Sequence, residues 1–234
     1  MAERPLLVLA DAQDVAAQAF VARHRKDGAR LLKPADLSRA GWCHRVGEPA
    51  ASIAVVEGLA IRASMLRGVI TRLAAVVPTQ LPHVAEADRD YVASEMSAFF
   101  GAWLSSLACP VMNRPRLPSL SGPAWRGEHW TKLALDLDVP AVPVRRELRP
   151  GSPESTVRTA PAGCVRLDVI GPTILGHGHP RLRVHARRLA EGAGMALLGV
   201  LFDAEDGNAR FVGADPWPDL SSVSIGDALM DCMP

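Results

Sequence analysis

The N-terminal part of the chain alternates between short apolar runs and one helical pattern. Residues 5–10 form an apolar run closed by polar positions, which predicts a buried strand. Residues 14–24 place apolar side chains at helical spacing, and Gly28 supplies a stop. Residues 29–33 predict a second strand. This β-α-β order predicts an α/β layer with a parallel sheet.

The clearest helical pattern lies near the middle of the chain, over residues 88–107. Its apolar residues follow the three-four spacing of one buried face, and acidic residues lie near its N-terminus, the end that favours negative charge. A shorter helix is predicted over residues 127–137, and a strand over residues 139–147. Two further short strands are expected upstream, over residues 42–48 and 52–56.

The C-terminal half opens with a stretch that is typical of a loop. Residues 149–163 are rich in Pro, Gly, Ser and Thr, which indicates a linker and not a folded subdomain. Residues 165–170 alternate apolar and polar positions, as a half-buried strand does, and residues 181–191 predict a helix. Residues 195–202 and 210–212 predict paired strands joined by a turn.

Composition limits the class of protein. The 234 residues are 48% hydrophobic and 22% charged, which is ordinary for a soluble globular protein and enough for one large domain or two small ones. We expect an N-terminal domain over residues 1–122 and a C-terminal domain over residues 123–234. The formal net charge of +1 gives no bulk electrostatic reason to expect a nucleic acid or an anionic membrane as a partner.

The opening residues and the cysteines favour a cytoplasmic protein. The apolar run at residues 5–10 is short and is followed by Asp11 and Asp14, so it does not resemble a signal peptide. No stretch approaches the roughly 18 apolar residues needed to span a bilayer. The cysteines show no CxxC or metal-ligand spacing, and we expect reduced thiols because disulfides are rare in the cytoplasm.

Several short motifs occur in a fixed order along the chain. The upstream motifs are GVITRL (68–73), DRDYVASE (88–95) and Asn113-Arg114-Pro115. The downstream motifs are WTKLALDLDVP (130–140), CVRLDVIG (164–171), LAEGAGMALLGV (189–200) and DGNARFVGADPWP (206–218). Each motif is weak by itself. The ordered set resembles the RimK-like branch of the ATP-grasp ligases.

The resemblance implies an α/β fold in which a Rossmann-like pre-ATP-grasp layer is followed by a truncated ATP-grasp core. Proteins of this family join a carboxylate to an amine through an acyl phosphate, which needs cations on the ATP phosphates and carboxylates around Mg²⁺. Family lysines that reach ATP lie in a lid between two strands of this core. Here residues 148–163 occupy that interval and contain no lysine, so the lid is predicted to be missing.

The resemblance also indicates where a nucleotide or substrate would bind. Arg166 matches an arginine that faces substrate or phosphate in the family, and an exposed strand arginine explains the same residue equally well. Lys132, Asn113 and Arg114 are the other candidates for this role. Lys132 precedes the interval where the family lysines lie, so it does not replace them directly.

The carboxylates expected around a metal are mostly replaced. A family Asp is Leu201 here, and the family's Glu-x-Asn motif becomes Gly213-Ala214-Asp215. Asp203 lies two residues after Leu201, on the same side of a strand, and is a candidate substitute. Asp203 and Asp215 are therefore the remaining metal candidates. They are a poor set for Mg²⁺, which demands near-octahedral oxygen ligands.

A second metal hypothesis rests on the GHGHP segment. His177 and His179 are two residues apart, so on a strand both imidazoles would face one side. A third ligand such as Asp168 would complete a Zn²⁺ site. A polar loop before the next helix explains the same histidines without a metal.

The predicted loss of the lid and of the carboxylates indicates a protein without ligase activity. We expect a binding or scaffolding subunit of a biosynthetic complex that modifies a peptide or a cofactor. Its partner would be another protein subunit or a second copy of the chain, with no nucleic acid, no membrane and no cofactor. One alternative is an active minimal ligase that uses ATP and Mg²⁺ with Arg166, Asp203 and Asp215, under a lid supplied by a partner. The other is a peptide- or metabolite-binding module.

Overall fold

The structure, a computed structural model, describes residues 4–144 and 163–233. In chain order, the strands of these residues are β1 (Leu6–Leu9), β2 (Ala29–Leu32), β3 (Ile53–Val56), β4 (Leu59–Arg62), β5 (Gly68–Thr71), β6 (Val111–Met112), β7 (Val165–Ile170), β8 (Thr173–Leu175), β9 (Leu197–Phe202) and β10 (Phe211–Asp215). The helices are α1 (Val15–Arg23), α2 (Arg89–Ser106), α3 (Gly127–Asp136), α4 (Pro180–Ala193) and α5 (Val223–Cys232). None of these helices is long and apolar enough to cross a membrane.

The chain divides into two compact units. The first unit comprises Met1–Ala124 together with Asp219–Pro234, and the second comprises Trp125–Pro218. The boundary predicted between residues 122 and 123 lies close to the first division. The last residues, which the sequence analysis assigns to the C-terminal domain, group instead with the first unit.

Contacts of α5 explain why the C-terminal residues belong to the first unit. The guanidinium of Arg67 donates hydrogen bonds to the carbonyl oxygens of Met230, at 2.6 Å from Nη2, and of Met233. Leu229 and Met233 are fully buried. Because these contacts join positions far apart in sequence, the local pattern of residues 219–234 does not predict them.

The first unit is built on a parallel sheet with the strand order β2-β1-β5-β6. In the register of β1, Leu6 lies opposite Ala29 on one side and Gly68 on the other. Between β1 and β2, Asp14 is the N-cap of α1, and its carboxylate accepts a hydrogen bond from the Ala17 N–H at 2.9 Å. The predicted β-α-β start and its parallel sheet are therefore confirmed.

The helix α2 supplies the largest side chains to the core of the first unit. Phe100, Trp103 and Leu104 are fully buried, as the three-four spacing of residues 88–107 predicts. Trp42 packs edge-on against Trp103, with ring centroids 5.5 Å apart. Burying one such side chain is worth about 1.5–3 kcal/mol, so this helix makes a large contribution to the stability of the unit.

The strands β3 and β4 form an antiparallel hairpin in the first unit. Its turn residues, Glu57 and Gly58, have φ values of 51° and 82°, and a two-residue hairpin turn of type I′ requires positive φ at both positions. On the other side of β3, Ile53 forms one isolated bridge with Cys43. That bridge stands in place of the strand predicted over residues 42–48.

The second unit is an antiparallel sheet with the strand order β10-β9-β7-β8. One face of the sheet is apolar, with Leu167 and Val169 on β7 and Leu198 and Val200 on β9, and α3 and α4 contribute to the same core. The alternation of residues 165–170 therefore predicts the strand and its buried face correctly.

Two predicted elements extend beyond the described residues. Of the linker predicted over residues 149–163, the structure describes Gly163, and the rest lies outside the described residues. The strand predicted over residues 139–147 is described as far as residue 144. Within that part, Ala141 makes one parallel bridge with Phe211.

Candidate functional site

The candidate site lies on the face of the second sheet that is opposite to its apolar core. Because Leu167 points into the core, its neighbours Arg166 and Asp168 point to the other face of β7. The register pairs Asp168 with Gly199 on β9, and Gly199 with Asp215 on β10. These three residues therefore form one row across three strands.

The guanidinium of Arg166 crosses this row and binds both carboxylates. Its Nε donates to Asp168 Oδ1 at 2.7 Å, and its Nη1 donates to Asp215 Oδ2 at 3.0 Å. Burial disfavours the charge of Arg166, but the two carboxylates outweigh that cost and raise the pKa of the guanidinium above its ordinary value. We call this arrangement the Arg166 bridge. The guanidinium of Arg166 stays charged at any physiological pH.

Gly199 makes room for the Arg166 bridge. A Cβ at this position would overlap the Arg166 guanidinium, with its Cζ at 2.6 Å, and would lie 2.9 Å from Asp168 Oδ1. Arg166 Nη2, which lies over Gly199, is buried and has no hydrogen-bond partner in the described part of the chain. The sequence motifs give no reason to single out Gly199. Its position opposite Asp168 on one side and Asp215 on the other is given by the strand register.

Both carboxylate oxygens of Asp215 already accept hydrogen bonds. Oδ2 accepts from Arg166, and Oδ1 accepts from the backbone N–H of Trp217 at 2.9 Å. The second contact fixes the turn that follows β10. The carboxylate of Asp215 is therefore committed to contacts within the protein.

The residues at the metal positions implied by the resemblance do not fit Mg²⁺. Leu201 and Gly213 lie directly opposite each other on β9 and β10, and neither has a side-chain oxygen. That leaves Asp215, whose oxygens are engaged as described above. Across residues 4–144 and 163–233, no group of three His, Cys, Asp or Glu side chains is arranged to hold a metal. Mg²⁺ prefers octahedral oxygen ligands, which this set does not supply.

Asp203, the candidate substitute ligand, is engaged by Arg210 near the end of the β9-β10 hairpin. Its Oδ1 accepts from the Arg210 backbone N–H at 2.7 Å, and its Oδ2 accepts from Arg210 Nε at 2.8 Å. The backbone hydrogen bond, followed by the contact with the guanidinium, lowers the pKa of Asp203 despite the opposing effect of burial. Asp203 therefore joins the two ends of the loop between β9 and β10.

The two histidines of the GHGHP segment lie on an exposed loop before α4. His179 is the N-cap of this helix, and its Nδ1 accepts a hydrogen bond from the Arg181 N–H at 3.2 Å. Its backbone N–H donates to Glu205 O at 2.9 Å. The capping contact gives His179 a structural role that needs no metal.

The remaining candidates, Lys132, Asn113 and Arg114, occupy three different environments. Lys132 is exposed on α3 and forms an ion pair with Asp136, 2.6 Å from Nζ to Oδ2. Asn113 is buried after β6, where its carbonyl oxygen accepts from the Thr71 hydroxyl at 2.9 Å. Asn113 belongs to the first unit and Lys132 to the second.

Arg114 closes the C-terminal end of α2. Its guanidinium donates to the carbonyl oxygens of Leu104 at 3.2 Å, Leu107 at 2.9 Å and Cys109 at 3.1 Å. The last carbonyls of a helix have no partner within the helix, so this side chain supplies the missing donors. Its hydrogen bonds therefore account for Arg114 without a nucleotide.

A parallel sheet in one unit and an antiparallel sheet with helices on one face in the other give this chain the α/β fold of the ATP-grasp ligases. Three proteins of known structure illustrate the likeness. At the identities that they share with this chain, 10% to 17%, the likeness concerns the fold. The predicted α/β class and the resemblance to ATP-grasp proteins are confirmed at that level.

The first of these proteins is the ATP-grasp ligase PsnB, in complex with precursor peptide PsnA2 and AMPPNP. It has a TM-score of 0.64 and 15% identity, and the match covers 98% of each chain. The second is the macrocyclase MdnC from Microcystis aeruginosa MRC, bound with precursor peptide MdnA. Its TM-score is 0.64 at 10% identity, and the match covers 97% of this chain and 98% of that one.

The third is a RimK domain ATP-grasp protein from Sphaerobacter thermophilus DSM 20745. Its TM-score is 0.52 at 17% identity, with 98% of this chain and 99% of that chain covered. No family model matches the sequence, and no curated protein matches it.

Proposed function

We propose that this chain has the ATP-grasp fold without ligase activity and acts as a peptide-binding or scaffolding subunit of a biosynthetic complex. The observation that carries the proposal is the Arg166 bridge. A guanidinium holds Asp168 and Asp215 together at the place where the resemblance implies a metal. Leu201 and Gly213 provide no oxygen beside it.

Electrostatics disfavours Mg²⁺ on Asp215 as long as Arg166 holds that carboxylate. Two like unit charges 4 Å apart repel by roughly 4 kcal/mol at an effective dielectric constant of about 20. A divalent cation on Asp215 would meet the guanidinium of Arg166, which lies 3.0 Å from Oδ2 of that carboxylate. Without a metal, the phosphates of ATP would lack the charge neutralisation that phosphoryl transfer requires.

The predicted loss of the lid supports the same proposal from the sequence. The interval that a lid would occupy corresponds to residues 148–163, of which the structure describes Gly163. That interval contains no lysine to contact the ATP phosphates. The absence of the lid remains a prediction, and the proposal rests first on the Arg166 bridge.

Two proteins of this fold are known in complex with a precursor peptide. One structure contains PsnB with precursor peptide PsnA2, and another contains MdnC with precursor peptide MdnA. We extend peptide binding to this chain as part of the proposal. The chemical step on the peptide would then belong to another subunit of the complex.

Calorimetric titration of the purified chain with Mg²⁺–AMPPNP tests the proposal. A structure of the ATP-grasp ligase PsnB contains a minimal precursor, Mg and ADP, so that protein is a suitable positive control for nucleotide binding. We expect no saturable binding to this chain at millimolar nucleotide. The alternative of a minimal ligase predicts saturable binding that Asp215→Asn abolishes, and that pair of results would refute the proposal.

A further inference from the structure

The first unit carries an open groove beside the outer edge of β4. Its volume is about 690 Å³. Its charged lining consists of Arg25, Lys26, Arg30 and Arg62, and its apolar lining includes Leu59 and Met65. None of these residues takes part in the Arg166 bridge or was singled out by the sequence motifs.

The outer edge of β4 presents backbone groups that the hairpin does not use. Cys43 and Ile53 exchange both of their backbone hydrogen bonds, so the N–H and C=O of Ile53 point away from β4. Ile53 and Arg62 are therefore a non-hydrogen-bonded pair of the hairpin. It follows that Ala60 and Arg62 direct their N–H and C=O groups outward, towards the open edge. Such an edge is a template for a further strand.

The charge of the groove is positive and incompletely neutralised. Glu57 binds Arg25 at 3.0 Å and Arg30 at 3.4 Å. Lys26 and Arg62 have no ion-pair partner among the residues that the structure describes. Two free cations thus lie beside an open strand edge, which complements a segment of negative charge.

Exposed apolar side chains line the same groove. Leu59 is 50% exposed and Met65 is 46% exposed. A nucleic acid strand would use the cations but has no backbone that pairs with a β-strand. A peptide uses the cations, the apolar side chains and the strand edge together, because strand addition combines main-chain hydrogen bonds with side-chain contacts.

We propose that this groove binds an acidic peptide segment in extended conformation, added as a strand to the outer edge of β4. Alternate acidic side chains would contact Lys26 and Arg62, and the intervening apolar ones would contact Leu59 and Met65. The inference deepens the proposed function, on which it rests, since it names the chemistry of the peptide partner and the surface that takes it.

Fluorescence anisotropy with a labelled decapeptide of alternating Glu and Val tests this inference, in the absence of nucleotide. We expect saturable binding that Lys26→Glu/Arg62→Glu weakens by at least about tenfold. Arg116→Glu/Arg181→Glu is the matched control, because both side chains are exposed and make no hydrogen bond or ion pair in the described structure. This control should change the affinity less than about twofold.

Two further probes separate strand addition from general charge attraction. The same peptide N-methylated at every residue has no backbone N–H left to donate to β4, and we expect it to bind at least about tenfold more weakly. A Lys–Val peptide should not bind. Equal loss of affinity in both double variants, equal affinity of the N-methylated probe, or preference for an oligouridylate over the Glu–Val peptide would each overturn the inference. Because no nucleotide is present, these results do not depend on whether the chain is a ligase.

Discussion

Position 199 carries a hydrogen where any other residue would place a Cβ beneath the guanidinium of Arg166. We expect Gly199→Ala to displace the Arg166 bridge and to lower the free energy of unfolding by about 1–3 kcal/mol, the usual cost of overpacking. Gly213→Ala is the matched control, since nothing lies within 4 Å of an added Cβ there. Urea denaturation of both variants measures the difference. Equal stability of the two would contradict the described packing.

The residues opposite each other on β9 and β10 determine whether this sheet can hold a cation. We expect Leu201→Asp/Gly213→Glu, introduced together with Arg166→Met, to create saturable Mg²⁺ binding with a Kd below about 1 mM, equivalent to about −4.1 kcal/mol. The new carboxylates would lie beside Asp215 in the strand register. Calorimetry measures the affinity, and the amide variant Leu201→Asn/Gly213→Gln in the same background is the control. Equally tight binding by the unmodified chain would contradict this reading of the site.

The hydrogen bonds of Asp203 make the stability of the β9-β10 hairpin depend on pH. Its pKa is lowered in the folded chain, so the stabilisation is complete above the ordinary Asp pKa of about 3.9 and is lost as the pH falls through the lower folded value. We expect Asp203→Asn to be less stable than the unmodified chain at neutral pH, by up to about 1 kcal/mol. The difference should shrink as the pH approaches 3. Thermal melts of both proteins across this range measure it, and a constant difference would contradict the assignment.

At the scale of elements, the end of α2 depends on a side chain that follows the helix. Arg114→Ala removes the donors to four carbonyl oxygens at or just beyond this end. We expect it to lower the free energy of unfolding by about 1–2 kcal/mol, because hydrogen bonds from a charged donor are replaced by water. Arg116→Ala is the control, since its exposed side chain makes no hydrogen bond among the described residues. A loss of stability of equal size in both variants would show that Arg114 does not cap α2.

Elements with a strong local period could be predicted from the sequence, and those fixed by distant contacts could not. The apolar spacing of α2 and the alternation of β7 identified their buried faces, because both patterns follow directly from backbone geometry. The predicted strand over residues 42–48 is reduced to the bridge between Cys43 and Ile53. The motif around Arg114 predicts a residue that faces a nucleotide or substrate. The contacts of Arg114 with the end of α2 cannot be predicted from that motif, because the motif does not include the helix.

At the scale of the whole molecule, the sequence predicted the α/β class and the likeness to the ATP-grasp fold. It did not predict that residues 219–234 return to the first unit, which depends on the hydrogen bonds from Arg67 to Met230 and Met233. It identified Arg166 and Asp215 as site residues but not their contact with each other. Only the strand register shows that Gly199 lies between the two carboxylates.

We propose that this chain retains the ATP-grasp fold without a working nucleotide site. A thermal melt of the purified chain with and without Mg²⁺–ATP tests it most directly. A ligand at about 100 times its dissociation constant stabilises the native state by about 2.7 kcal/mol, which raises the melting temperature by several degrees. We expect no Mg²⁺-dependent shift at millimolar ATP. A clear shift that requires Mg²⁺ and disappears in Asp215→Asn would contradict it, and the chain would then be a minimal ligase.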